Sequence, residues 1–130
     1  MTPWVSILLP HQLFAWVSSE FPDVLKTGTD NGNLQEFWAR AEASGDPQLH
    51  NHPMKLRADW RDKAVPLVLY GDGGRFARKD SMEIASVAFL LSRLPTWACK
   101  MVVAAWAKSA EWGDETWDAL WAVLAWSLKC

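Results

Sequence analysis

Ten tryptophans in a chain of 130 residues, joined by five Phe and one Tyr, demand a folded interior. A large aromatic hides roughly 150–250 Å² when buried, and a short chain can shelter so many rings only by packing helices and strands around a common core. The remaining composition agrees: half the residues are apolar and 22% are charged, unlike a disordered, collagen-like or supercharged sequence. The length bounds the chain to one domain. Its formal charge of −2 opposes strong attraction to polyanions over the surface as a whole.

Several classes are excluded on physical grounds. The most apolar stretches, residues 84–91 and 119–128, are about half as long as the ~20 residues that span a bilayer, so no membrane segment is expected. The N-terminal run MTPWVSILLP has no Lys or Arg ahead of it and ends in Pro10, which does not suit a signal peptide. Cys99 and Cys130 are the only cysteines and form no C-x-x-C pair, so neither a disulfide framework nor a zinc finger is indicated. Two free thiols fit a reducing compartment, and an intracellular chain, nuclear or cytoplasmic, is the expectation.

Local signals predict an α+β or α/β fold: short N-terminal helices over residues 1–53, then a strand-rich region over 54–130 with about three strands and an apolar C-terminal helix. Leu13, Phe14 and Val17 recur at helical spacing after Pro10 until Phe21-Pro22 closes the segment. TGTDNG, residues 27–32, has turn chemistry. Asn33 is placed to cap a helix over Leu34–Ala43, whose Leu34, Phe37, Trp38 and Ala41 form an i, i+3, i+4, i+7 stripe. Residues 44–53 carry no periodic pattern and read as a connector. Residues 65–70 then predict a central buried strand, closed by a turn at Gly71-Asp72-Gly73-Gly74 in which positive φ is expected. Residues 81–91 fit helix and strand equally, and 97–107 lean towards strand. The last helix opens at Gly113-Asp114 and carries Trp117, Leu120, Trp121, Leu124 and Leu128 on one face. Val123 and Trp126 lie off that stripe, so a second apolar face needs cover. Either a longer fold, of which this chain is a fragment, or self-association with another copy or a protein partner through Val123 and Trp126 would supply it.

The constellations that could carry chemistry are sparse. The glycine run after the strand lacks the G-x-x-x-x-G-K-[ST] spacing of a phosphate loop and has Phe76 where a dinucleotide fingerprint needs a small residue. Asp72 stands where polynucleotidyl-transfer folds place a first metal ligand, yet two-metal chemistry needs several convergent carboxylates, and neither Asp59, Asp62 nor Asp80 has diagnostic spacing. His50 and His52, with Asp46 nearby, lack the H-E-x-x-H arrangement, and His11 reads as a polar residue at a helix start. No metal or cofactor is expected. Cys99 has only Lys100 as a charged neighbour and no G-x-S-x-G exists, so nucleophilic catalysis has no support. Between residues 55 and 80, seven cations face four carboxylates, a net +3 that leaves −5 for the rest of the chain. Arg75, Arg78 and Lys79, with Trp60 and Phe76 interleaved, are the candidates for a nucleic-acid face.

Leu8-Leu9-Pro10-His11, Phe21-Pro22, Phe37-Trp38, His52-Pro53, Trp60, Ala64-Val65-Pro66-Leu67 with Tyr70-Gly71-Asp72-Gly73, and the closing Trp117-Asp118-Ala119-Leu120-Trp121 with Leu124-Ala125-Trp126-Ser127 span nearly the whole chain. This series resembles a family of highly repeated open reading frames from dinoflagellate algae, whose copy number implies mobile-element origin. The order of strand, glycine turn, two further strands and apolar helix is similar to the opening of ribonuclease H-like transposase domains. That resemblance implies that Asp72 takes the place of the first catalytic Asp. It also implies that the partner carboxylates would follow the last helix, and Gly74-Arg75-Phe76 departs from the small apolar residues of the algal family. The expectation is therefore a truncated, mobile-element-derived domain without catalysis as an isolated chain. A Trp-rich interaction module pairing through the C-terminal helix and a weak binder of single-stranded nucleic acid are the alternatives.

Overall fold

The structure is a computed structural model, and it describes the chain except for residues 1–4, 30–33 and 76–77. Helix α1, Pro10–Glu20, starts on a proline, which gives up no useful donor at a first helical position. The N–H of Phe21 closes the helix on the carbonyl of Val17. Helix α2, Pro22–Thr29, includes residues 27–29, which are therefore helical rather than part of the expected turn; residues 30–32 of that turn lie outside the described residues. Helix α3 occupies Leu34–Ala43, as the apolar stripe predicts, while its expected cap, Asn33, lies outside the described residues. The connector over 44–53 and the residues that follow it fold into single turns: α4, Pro47–His50, capped by Asp46; a 3-10 turn, Pro53–Leu56, capped by His52; and α5, Trp60–Lys63. Trp38, Leu49 and Trp60 form the core of this helical part, packed with Phe37, Met54 and Ala64. Trp38 can sit inside because its indole N–H donates to the carbonyl of Ala64 at 2.8 Å. Outside, Glu42 accepts from Lys55 at 2.9 Å and from Arg61 at 2.7 Å, tying α3 to the segments that follow it. Lys55 and then Arg61 hold the Glu42 carboxyl below its ordinary value.

Three antiparallel strands, β1 (Leu67–Arg75), β2 (Ser81–Phe89) and β3 (Lys100–Ala107), form a sheet in the order β1-β2-β3. Residues 81–89 are thus strand. Residues 97–99 belong to a helical turn, α6 (Thr96–Cys99), and the third strand starts only at Lys100. The glycines do not end β1: Gly71, Gly73 and Gly74 pair in register with Ala85, Glu83 and Met82, and none adopts positive φ. Cross-strand pairing overrides their weak strand preference, and β1 continues to Arg75.

A second correction concerns where β1 sits. It is an edge strand, not a central one, and its outer side pairs with no strand among the described residues; Leu69 is exposed rather than buried. The outer side of β3 is partly covered, since Ile7 bridges to Ala104 and the Leu8 N–H donates to Val103 at 2.7 Å.

Side chains alternate across the sheet, so its two faces differ. On one face Ala85, Val87, Val103, Ala104 and Trp106 pack against Leu120 and Leu124 of helix α7, Asp114–Ser127, with Phe14 of α1, Leu67, Trp117 and Trp121 around them. On the other, Tyr70 and Lys100 meet over small Ser86 and Ala88, with the ammonium 4.1 Å from the Tyr70 ring centroid, and these two long side chains shelter the residues between them. Helix α7 begins after Gly113, whose φ of +63° suits glycine. Of the stripe predicted for α7, Leu120 and Leu124 are buried and Trp117 and Trp121 are half-buried, whereas Leu128 is exposed beyond the sheet. Ser127 takes the buried place near the end of α7, its Oγ accepting the backbone N–H of His11 at 3.2 Å and lying 2.9 Å from His11 Nδ1. No helix among the described residues is long and apolar enough to cross a membrane.

Candidate functional site

Strand register decides what the chemistry-bearing residues can do together. Asp72 points to the face of the sheet away from α7 and is exposed, with Oδ1 accepting the N–H of Gly73 at 2.9 Å. Glu83, the register partner of Gly73, lies on the opposite face and pairs with Lys108 at 3.2 Å. Asp80 is engaged elsewhere, accepting from the N–H of Ser81 at 2.9 Å and from Ser109 Oγ at 2.6 Å. Among the described residues no three His, Cys, Asp or Glu side chains converge. Asp72 is therefore a solitary carboxylate, without the convergent ligands that two-metal chemistry requires. His50 is exposed and His52 spends its ring nitrogen on the N–H of Met54, while Cys99 is half-buried and Cys130 exposed.

Two concave surfaces stand out. The first lies at the turn end of the β1-β2 hairpin, where Arg75, Arg78, Lys79, Asp80 and Ser81 meet Lys108 and Ser109 around a hollow of about 420 Å³. The sequence reading finds three of these cations, and the structure adds Lys108 and Ser109, which arrive because Ala107 at the end of β3 pairs with Met82. Trp60 is not part of this surface. It is only 5% exposed, buried with Trp38 and Leu49, and its ring is stacked by Arg61 and Lys55. Phe76, the other ring expected there, lies outside the described residues.

Asp80 braces this end of the sheet. The Ser109 hydroxyl is the main cause that holds its carboxyl below the ordinary aspartate value of 3.8, with the N–H groups of Ser81 and Ser109 adding to it. A folded-state pKa lowered in this way contributes stability that is full above about pH 3.8 and is lost as pH falls through the lower folded value. Ser109→Ala should therefore lower the unfolding temperature slightly at pH 7, and the gap between wild type and variant should close as the pH drops towards 2; a gap that stays constant with pH would assign the effect to something other than the carboxylate.

The second concavity runs beside α7. Val5, Ile7, Trp106, Trp112, Leu120 and Val123 line an apolar groove of about 390 Å³, with Glu115 at one side. Val123, an interface candidate from its place off the core stripe, lines this groove. Trp126 stands one turn further on, 56% exposed, with its ring edge-on to His11 at 5.6 Å. Trp112, which no helical pattern marks, is 57% exposed on the same flank. Its exposure follows from Gly113: the chain turns there, and the Trp112 N–H donates to Thr116 Oγ1 at 2.8 Å, leaving the indole outside the helix.

What these features define is a small α+β domain with one basic hollow and one apolar groove. No protein-family model matches the chain, and no curated protein or solved structure matches it.

Proposed function

We propose that this chain is a non-catalytic association domain, and that its working surface is the outward face of α7 with the groove beside it, occupied by a second copy of the chain. The observation that carries this reading is the exposure of Trp126 and Trp112 at the two ends of one apolar strip. Thr116, Ala119, Val123 and Trp126 follow one another at i+3 and i+4, so they share a face of α7. The middle of that face is small and its ends are bulky, a shape that accepts a helix between two indoles. Tryptophans half out of water are the preferred anchors of protein interfaces, and a stable one covers about 800 Å² per partner, well within reach of a 14-residue helix and its flanks.

Sedimentation equilibrium is the direct test. The chain should associate at tens of micromolar, and Trp126→Glu should abolish association while moving the unfolding temperature little, since the ring is largely outside the core. A wild type that remains monomeric, or a Trp126→Glu protein that unfolds, would overturn the reading.

A further inference from the structure

We propose that the basic hollow at the hairpin end is a phosphate-binding site, suited to the phosphates of a free oligophosphate or of a single-stranded phosphodiester backbone. Four cations, Arg75, Arg78, Lys79 and Lys108, border it against one carboxylate, in a chain whose net charge is −2. That carboxylate is occupied, because Asp80 faces the Ser81 and Ser109 donors. Lys108 is also engaged, by Glu83 at 3.2 Å and Glu111 at 4.0 Å, and that attachment raises its pKa and keeps it charged. Arg75, Arg78 and Lys79 form no ion pair among the described residues. These three cations outnumber the single ionised Asp80 carboxylate in the hollow and repel one another, and an anion placed between them reduces that repulsion.

The chemistry of the lining selects the anion. Two guanidinium forks match tetrahedral oxyanions with paired N–H donors, and three cations favour a ligand with more than one negative charge over a single carboxylate. The Ser81 side chain at the rim, half-exposed, adds a hydroxyl donor. The described lining is cationic and hydroxyl-bearing, and Trp60 is shut inside the helical part, so the groups that would contact the ligand are ones that recognise phosphate. Binding should therefore be independent of nucleotide sequence.

The test uses the full chain with two probes, tripolyphosphate and oligothymidylate, titrated from low to physiological NaCl. If three phosphates are neutralised on a single strand, log K should fall with log[salt] with a slope of about −2, which is a loss of roughly twentyfold between 50 and 200 mM. Arg75→Gln, Arg78→Gln and Lys79→Gln should each make that slope shallower by about 0.7, and the triple variant should lose binding; Lys129→Gln, on the far end of α7, should change nothing. Should the triple variant fail to fold, the single-variant slopes decide. Tighter binding of tripolyphosphate than of the oligonucleotide identifies a free oligophosphate as the ligand, and the reverse order identifies a phosphodiester strand. Failure of both probes to bind at 50 mM salt, or slopes that none of the three substitutions alters, would overturn the proposal.

Discussion

Leu124→Ala is expected to cost about 3–5 kcal/mol, the upper part of the range for a buried leucine, because the site has no room to relax. Leu124 is 0% exposed and stands in the cluster where α7 meets Val87, Val103 and Ala104 of the sheet. Removing three carbons there opens a cavity between a helix and a sheet whose small residues cannot fill it. A single domain of this size has a total stability on the order of 5–15 kcal/mol, so the variant should melt at least 10 °C lower. Leu128→Ala, one helical turn further along the same predicted stripe, should stay within about 1 kcal/mol, as expected of an exposed position. Urea denaturation followed by circular dichroism measures both, and equal losses at 124 and 128 would mean that α7 sits one turn further along the sheet than the structure places it.

The next largest effect is expected at Gly71, where a strand glycine meets a tryptophan. A Cβ at this position would lie 2.9 Å from Cη2 and 3.0 Å from Cζ3 of Trp117. The far end of a side chain can often give way, but this ring is held between Trp106, 4.8 Å away by centroid, and Trp121, 5.5 Å away. Gly71→Ala should therefore cost about 1–3 kcal/mol by overpacking. With Trp117→Leu as background the clash is gone, and the same substitution should be neutral or slightly stabilising, because alanine loses less backbone entropy than glycine in a strand. A double-mutant cycle measures this coupling, and simple additivity of the two substitutions would show that the indole does not press on β1.

The same contact explains why the path of β1 was hard to read from the sequence. Asp72 between glycines has the composition of a turn, and turn chemistry is a local property. What keeps the chain extended there is not local. It is the ladder to β2 and a tryptophan that arrives 46 positions later and needs a residue without a side chain beneath it. The basic hollow was half legible for a similar reason. Arg75, Arg78 and Lys79 are neighbours in sequence, but Lys108 and Ser109 join them only through the pairing of β2 with β3. Trp60 was misplaced because interleaving with basic residues is equally compatible with a ring that stacks on a ligand and one buried under its own flanking Arg61 and Lys55.

The sequence by itself determined the elements whose signals are short-range. Pro10 and Phe21-Pro22 bound α1, the Leu34, Phe37, Trp38 and Ala41 stripe defines α3, an apolar β-prone run starts β1, and Gly113 starts α7. In each case the backbone preference and the apolar spacing agree within a few residues, so nothing distant is needed to choose the conformation. Only the tertiary structure decided that residues 81–89 are strand, that β1 lies at the edge of the sheet, that Leu128 is outside while Ser127 is inside, and that a basic hollow forms at one end of the sheet. Those outcomes depend on which segments lie beside one another. Burial and strand pairing are free energies of contacts between residues far apart in the chain, and no local pattern records which contact wins.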